Sequence, residues 1–225
     1  MLDRTPGRNP PRGAVFLSPK MRRRFPPLRA RWALLLLVLP TVGRAQAAQA
    51  LSGRERIAAA NEAVLDSLYA PLVYIMLESE RGIYPGLGVS AKRDFLRMFW
   101  TKRDPTPGTP RNEAEEGFNA RIAYVNKKFS EGGAVPVPGW RTDRGRIYLK
   151  YGPPDVTLTR RGVGRQLPFQ LWGYTSGGHR RKYCFVDLTR FGNYSLVYST
   201  DKSEPTRSDW QTLLGWDAYD DVLNF

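Results

Sequence analysis

The chain has 225 residues, with 35 Lys and Arg against 21 Asp and Glu, and a formal net charge of +14 at pH 7. Residues 1–47 contain nine Arg, one Lys and one Asp, a net of +9, so residues 48–225 carry the remaining +5 of the +14. A charge of that size with acidic residues interspersed is ordinary for solubility. It weakens a nucleic-acid-binding interpretation, which needs Lys and Arg clustered on one face.

The first 47 residues have the features of a secretory signal peptide. A basic segment from Met21 to Arg31 precedes an apolar run from Trp32 to Leu39, and Ala45-Gln46-Ala47 is a small-x-small cleavage site. The apolar run is much shorter than the ~20 residues that a membrane-spanning helix needs. We therefore expect a cleaved signal and an exported protein, periplasmic or extracellular, that does not span the membrane.

Two details of this segment stay open. The Pro-, Gly- and Arg-rich residues 1–20 form a doubtful extension, because Met21 is an alternative start. Ala48-Gln49-Ala50 overlaps the first cleavage site, so the exported chain is expected to begin at Ala48 or at Leu51.

The remaining residues are enough for one domain with a hydrophobic core. We predict an N-terminal helical segment at 48–71 and the domain proper at 72–225. Cys184 is the only cysteine and alternates with Val186 in a strand pattern, which indicates a small buried side chain. His179 is the only histidine, so the familiar zinc ligand sets are excluded and we expect neither a metal nor a cofactor.

Helical periodicity marks the first half of the domain. Residues Glu55–Leu68 place their apolar side chains at helical spacing, and a second helix, capped by Ser90, is predicted to run through Trp100. Thr109 and Pro110 predict the start of a third helix that reaches Phe129. Proline at the first helical position loses only an amide that already lacks an intrahelical partner.

After Gly139, apolar residues recur at every second position, which is the spacing of a strand. Arg146–Tyr151 is therefore predicted to be the first strand. The other predicted strands are Phe169–Tyr174, Tyr183–Asp187 and Tyr194–Tyr198. Turn residues separate them, at Gly177-Gly178 and at Phe191-Gly192-Asn193, which suits tight antiparallel connections.

Helices followed by strands predict the α+β class. We expect N-terminal helices packed on a small antiparallel sheet of about four strands, three of them in a meander. Ser208-Asp209-Trp210-Gln211 predicts a short C-terminal helix that caps the sheet.

Two motifs carry a family resemblance. The first is Gly139-Trp140-Arg141-Thr142-Asp143-Arg144-Gly145, followed by the turn Gly152-Pro153-Pro154-Asp155; the second is the upstream stretch from Phe99 to Glu113. On both, the chain resembles the bacterial GWxTD domain family over roughly Leu72 to Thr200. The resemblance implies a bacterial domain without an established activity.

The motif residues have a structural and a functional interpretation. The first interpretation of Asp143-Arg144-Gly145, which precedes a predicted strand, is a turn. In such a turn the Asp side chain accepts a hydrogen bond from the backbone amide two residues later. If the third helix packs beside the first strand, Glu113 and Arg121 could meet Asp143 and Arg144 in a partly buried ion network. Such a network holds a helix and a strand in register as readily as it serves catalysis. The binding and motif candidates are Trp100, Arg103, Asp104, Asn112, Glu113, Arg121, Gly139, Trp140, Thr142, Asp143, Arg144, Gly145, Tyr148, Gly152, Asp155, Trp172 and Tyr174.

Three functions remain open. We favour a non-catalytic module that binds or scaffolds a cell-envelope protein or glycan through aromatic and arginine surfaces. The second is a hydrolase of envelope glycan, which needs two carboxylates roughly 5 to 10 Å apart across a cleft. Its candidate carboxylates are Asp104, Glu113, Asp143 and Asp155. The third is a binder of anionic polymers through Arg160-Arg161 and the His179-Arg180-Arg181-Lys182 cluster, which otherwise forms a solvated hairpin tip.

Overall fold

The computed structural model describes residues 52–225. The predicted signal peptide at 1–47 and both predicted cleavage sites lie outside the described residues. The α-helices are α1 (Gly53–Ala59), α2 (Glu62–Tyr69), α3 (Val89–Thr101), α4 (Glu113–Lys128), α5 (Asp143–Tyr151), α6 (Trp210–Leu214) and α7 (Trp216–Asn224). The strands are β1 (Val156–Arg160), β2 (Phe169–Ser176), β3 (His179–Asp187) and β4 (Tyr194–Ser199). This is an α+β fold, as predicted.

The first two helices replace the single helix predicted over Glu55–Leu68. Ser52 caps α1 in a capping box with Glu55, and the Asn61 side chain accepts a hydrogen bond from the Val64 amide to cap α2. The chain turns between these caps because Ala60 adopts an extended conformation. Asn at a helix start satisfies an amide that has no intrahelical partner, so a second helix begins there.

Helix α4 begins three residues later than predicted. The Asn112 side chain, not Thr109, accepts a hydrogen bond from a first-turn amide, that of Glu115, at 3.0 Å. Thr109 instead belongs to a turn in which its hydroxyl contacts Thr106. Ser90 was predicted to cap α3, and this is wrong: Gly88 occupies the cap position and Ser90 lies in the first turn of the helix.

Residues Arg146–Tyr151 were predicted to be a strand, and this prediction is wrong. They form most of α5, which Thr142 caps by accepting a hydrogen bond from the Gly145 amide at 3.1 Å. The first strand of the sheet is β1 instead. Strand β1 has only five residues, in which Val156 and Leu158 alternate with threonines, and only Leu158 is partly buried, so its strand pattern is short and weak.

The four strands form one antiparallel sheet in the order β1-β2-β3-β4, a continuous meander. Gly177 and Gly178 form the tip of the predicted β2–β3 hairpin, both with positive φ. Leu171 pairs with Cys184 at the centre of the sheet. Cys184 is buried, as predicted, and burial raises the pKa of its thiol to about 12.

Both faces of the sheet are covered. One face carries Phe169, Leu171 and Cys184, which pack against Leu214 and Val222 of the C-terminal helices. On the other face, Ile147 of α5 packs against Trp172 and Phe185. The opposite side of α5 places Leu149 in the helical core, whose other members include Leu96, Phe118 and Val125. Helix α5 therefore lies between the N-terminal helices and the sheet.

No helix within residues 52–225 has the length and apolar content needed to cross a membrane.

Candidate functional site

The two motif glycines mark close backbone contacts. A Cβ atom added to Gly139 would overlap the Val125 carbonyl oxygen at the end of α4, and one added to Gly145 would overlap the Gly139 carbonyl oxygen. Gly139 begins a single 3-10 turn, Gly139–Arg141, that leads into α5. The glycines therefore let α4, the 3-10 turn and α5 pack backbone against backbone.

Thr142 and Asp143 join this turn to helix and sheet. The Thr142 hydroxyl donates a hydrogen bond to the Gly139 carbonyl at 2.8 Å and accepts one from the Gly145 amide. One carboxylate oxygen of Asp143 accepts a hydrogen bond from the backbone amide of Leu196 in β4 at 2.8 Å, and the other accepts one from Arg146. Asp143 thus ties the N-terminus of α5 to the edge of the sheet.

Arg144 is buried and holds two loops. Its Nη2 donates to Glu131 Oε1 at 2.8 Å and to the Gly192 carbonyl at 3.2 Å. The guanidinium lies 4.0 Å from the centre of the Tyr194 ring and 5.1 Å from that of Phe129, which are cation–π distances. Arg144 therefore connects the segment after α4 to the turn before β4.

The predicted ion network of Glu113 and Arg121 with Asp143 and Arg144 is wrong. Glu113 accepts a hydrogen bond from the Thr106 hydroxyl at 2.6 Å. Arg121 donates to the Leu149 carbonyl at 3.4 Å. Both helical residues belong to α4, but their side chains reach groups other than the motif carboxylate and guanidinium.

The upstream motif fixes the loop after α3. Trp100 is buried in the helical core. The Arg103 guanidinium lies 3.7 Å from the centre of the Phe99 ring and donates to Glu80 at 3.0 Å. The Asp104 side chain, only 1% exposed, accepts a hydrogen bond from the Thr106 amide at 3.0 Å.

Asn112 links this loop to α4. Its amide nitrogen donates to the Trp100 carbonyl at 2.7 Å while its oxygen caps α4. The side chain is buried and both of its polar atoms are used. Asn112 therefore joins the end of α3 to the start of α4.

The remaining candidates support the turn between α5 and β1. The Tyr174 hydroxyl donates to the Gly152 carbonyl at 3.0 Å, and Asp155 accepts a hydrogen bond from the Thr175 amide at 2.6 Å. Tyr148 and Trp172 pack edge to face with ring centres 6.4 Å apart. These contacts join α5 to β2.

The four candidate carboxylates are each engaged in hydrogen bonds to threonine or to backbone amides. Asp104 and Glu113 both accept bonds from Thr106, whereas Asp143 contacts β4 and Asp155 contacts β2. In a catalytic pair, one carboxyl group donates a proton and the other attacks or activates water across a shared cleft. Here all four carboxylates hold loops and helix ends in place.

The motif tryptophan borders a cavity of about 220 Å³ between α2 and α4, which we name the Trp140 cavity. Its apolar wall includes Leu68, Leu72, Trp100, Phe118, Ile122 and Trp140. Ser67, Glu115, Asn119 and Asn126 contribute polar groups. Asn126 Oδ1 accepts a hydrogen bond from the Trp140 amide at 3.1 Å and so fixes the position of that residue. An apolar cavity with a few convergent polar groups is the usual form of a small-ligand site.

Glu115 is the charged residue of this cavity. It is 7% exposed, and burial raises the pKa of its carboxyl group. Among residues 52–225, its carboxylate accepts no hydrogen bond, and its ion pair with Arg56 has a separation of 3.6 Å. Glu115 is not one of the residues predicted from the sequence. Its spacing from Phe118 and Ile122, three and seven residues on, places it on the apolar stripe of α4, and this position is the signal that could have identified it.

Within the described part of the chain, no three His, Cys, Asp or Glu side chains are grouped so that they could hold a metal ion. No curated protein and no solved structure matches the chain. The family model of the GWxTD domain matches residues 58–212, more than half of the chain. This match includes both motifs, all of the predicted site residues and every residue that lines the Trp140 cavity except Ile57. The chain therefore belongs to the GWxTD domain family.

Proposed function

We propose that this protein is an exported, non-catalytic module that binds a component of the cell envelope in the Trp140 cavity. The observation that carries the proposal is the position of Trp140. Its backbone is fixed by Asn126 and the packed glycines of the motif, while its side chain borders an open, largely apolar cavity. The motif thus builds a rigid support for one wall of a cavity of about 220 Å³, which is smaller than the roughly 300 to 1,000 Å³ of pockets for drug-sized ligands and so favours a smaller ligand.

The alternative, a carboxylate-based hydrolase of envelope glycan, has less support. General acid catalysis needs a carboxyl group that is free to exchange a proton with the substrate. Each of the four candidates already accepts a hydrogen bond within the fold. None of the four lines the Trp140 cavity.

The basic residues also favour structural roles over polymer binding. Arg160 forms two hydrogen bonds to the Asp221 carboxylate, at 2.9 and 3.1 Å. Lys182 donates to the backbone carbonyls of Val222 and Leu223 near the end of α7, and burial lowers the pKa of its ammonium group. These contacts fix α7 against the sheet, so Arg160 and Lys182 are engaged within the fold.

Export is the first testable part of the proposal. The basic segment before a short apolar run predicts that the signal is removed after Ala47 or Ala50. Mass spectrometry of the protein recovered from the envelope fraction should find a new N-terminus at Ala48 or at Leu51. An intact N-terminus in that fraction would contradict export by cleavage.

Binding through the cavity is the second testable part of the proposal. We expect Trp140→Ala to reduce capture of the envelope component at least tenfold, because aromatic anchors in such sites commonly contribute 2 kcal/mol or more to binding, on the order of a thirtyfold effect. The experiment is a quantitative pull-down from the native envelope fraction. The matched control is Trp210→Ala, which removes a tryptophan stacked on Tyr198 on the opposite side of the sheet. Equal capture by the parent and the Trp140 variant would contradict the proposal.

A further inference from the structure

We propose that this protein docks on an anionic phospholipid surface through three loops at one end of the sheet. These loops are residues 130–138, between α4 and the 3-10 turn, residues 161–168, between β1 and β2, and residues 188–193, between β3 and β4. We name them the tip loops. No residue that lines the Trp140 cavity belongs to a tip loop, so the proposal adds a second interaction surface to the proposed function.

Each tip loop presents one strongly exposed apolar side chain. Val135 is 80% exposed, Val163 is 82% exposed and Phe191 is 89% exposed. Within residues 52–225, the next most exposed large apolar side chain is Leu77, at 63%. Single exposed apolar residues are common on soluble proteins. Here, however, the three most exposed ones fall in three loops that contact one another.

Sheet topology and hydrogen bonds bring the tip loops together. In an antiparallel meander, the β1–β2 and β3–β4 connections lie at the same end of the sheet. Arg190 joins these two loops, because its Nη2 donates to the Gly164 carbonyl at 2.8 Å and to the Gln166 carbonyl at 3.3 Å. The Gly132 amide donates to Asn193 Oδ1 at 2.9 Å, which attaches the first tip loop to the third. The three exposed apolar side chains therefore belong to one connected group of loops.

The third tip loop is held in a fixed conformation. Within residues 52–225, Arg190 is the one residue other than glycine with a positive φ, of 64°. This conformation is sparsely populated and persists only where surrounding contacts maintain it. Besides the bonds of Arg190, the Thr189 hydroxyl accepts a hydrogen bond from the Phe191 amide at 3.3 Å, and Asp187 accepts one from the Gly192 amide at 2.7 Å. The loop is thus fixed while the Phe191 ring remains in water, which is the arrangement of a contact residue.

The exposed charges of the tip loops are positive. The second loop contains Arg161 and Arg165, both exposed, and the third contains Arg190. Neither of these two loops contains an acidic residue. The acidic residue of the first loop, Glu131, is paired with the buried guanidinium of Arg144 at 2.8 Å. Basic side chains beside exposed apolar ones bind anionic headgroups while the apolar groups enter the boundary of the acyl chains.

A lipid surface fits this arrangement better than a protein partner does. The centre of a protein interface is a contiguous, closely packed apolar patch. The tip loops instead present separate side chains next to glycine, since Val163 lies between Gly162 and Gly164, and Gly192 follows Phe191. A fluid lipid interface accepts separate side chains because it does not require shape complementarity.

The first test measures the surroundings of position 191 in the purified full-length chain. Phe191→Cys is labelled with an environment-sensitive dye, while Cys184 stays unlabelled because it is buried and burial raises the pKa of its thiol to about 12. We expect the dye emission to shift to the blue when vesicles of phosphatidylcholine with about 30% phosphatidylglycerol are added. The control is the same dye at Ser176→Cys, at the opposite end of the sheet, where we expect no shift. This control matters because the basic residues 1–47 can bring the chain to a vesicle without placing the tip loops in it.

The second test removes the apolar contact. Phe191→Ser should weaken vesicle binding about tenfold, because the ring no longer leaves water on docking. The ring is exposed, so the substitution should leave the fold intact. The matched control is Leu77→Ser, which removes an exposed apolar side chain outside the tip loops and should change vesicle binding less than about twofold.

The third test removes the charge contact. Arg161→Gln together with Arg165→Gln should weaken binding to the anionic vesicles about tenfold or more, because each basic residue near the surface adds to the attraction. Binding to vesicles of phosphatidylcholine alone should not change. The matched control is Lys102→Gln together with Lys202→Gln, which removes the same charge at exposed positions outside the tip loops and should have less than about a twofold effect.

Several results would overturn the proposal. These are no blue shift at position 191, an equal shift with phosphatidylcholine alone, a shift at position 176 instead, or equal losses of binding in Phe191→Ser and Leu77→Ser. A dye at position 191 that responds to proteins of the envelope fraction but not to lipid vesicles would show that the tip loops bind a protein, and the membrane proposal would be wrong. Trp140→Ala should bind vesicles as the parent does, so a failure of the cavity-binding function remains distinguishable from a failure of membrane docking.

Discussion

Gly145→Ala is expected to lower the free energy of unfolding by about 3 kcal/mol or more. The added Cβ would overlap the Gly139 carbonyl oxygen and crowd the Trp140 Cα, which are backbone atoms of the packed turn. Overpacking costs about 1 to 3 kcal/mol where flexible side chains can give way, and more where they cannot. Because the turn also contacts α4 through Gly139, it has little freedom to move.

The control is the same substitution at Gly117. This glycine lies inside α4, and a Cβ there would meet no atom within 4 Å. Alanine is favoured over glycine inside a helix by about 1 kcal/mol, so Gly117→Ala should stabilise the protein. Urea unfolding of both variants measures the difference. A Gly145 variant as stable as the parent would show that this contact is not a structural constraint.

The class of the fold and most of its elements follow from the sequence. The separate helical and strand spacings of the apolar residues predicted the α+β class, and the glycines at 177 and 178 predicted the position of the β2–β3 hairpin correctly. These signals are local, since each depends on which face of one element is buried. The family resemblance, shown by the match over residues 58–212, also depends on two continuous motifs.

The helix α5 was missed for a physical reason. Ile147 and Leu149 alternate with polar residues, which is the pattern of a half-buried strand. In the fold, Ile147 faces the sheet and Leu149 faces the helical core, so the helix is buried on two sides. Two buried faces produce a period of two without a strand. Thr142 followed by Asp143 was the available signal of a helix start.

The site was predictable only in part. Trp140 was named from its motif, but Glu115 and Asn126 became visible only when α2 and α4 were placed together around the cavity. The carboxylates that the sequence offered for catalysis were chosen by residue type. Their hydrogen-bond partners, such as the Leu196 amide for Asp143, lie 20 or more residues away in two of the four cases and cannot be read from local patterns.

Glu204 forms a buried charge contact with two residues of α5. Its side chain is 2% exposed and forms ion pairs with Arg146 and Lys150, which lie one turn apart on the same face of the helix. Arg146 also pairs with Asp143 at 3.2 Å. These contacts attach α5 to the segment that follows β4, so the motif helix is held by charge as well as by packing.

Glu204→Ala is therefore expected to lower the free energy of unfolding by about 3 kcal/mol. Removing one partner of a buried ion pair costs roughly 3 to 5 kcal/mol because a charge is left without compensation. The lower end applies here, since the side chains of Arg146 and Lys150 remain 20% and 25% exposed and water can reach them. Thermal and urea unfolding of the purified variant measure the loss.

Two comparisons make this result specific to burial. Glu116→Ala breaks the exposed pair with Arg111, whose side chains are 48% and 71% exposed, and should cost less than about 1 kcal/mol. Adding Arg146→Met and Lys150→Met to Glu204→Ala should recover part of the stability, because the uncompensated positive charges are then removed as well. A Glu204 variant no less stable than the Glu116 variant would mean that the ion pairs of Glu204 do not stabilise α5.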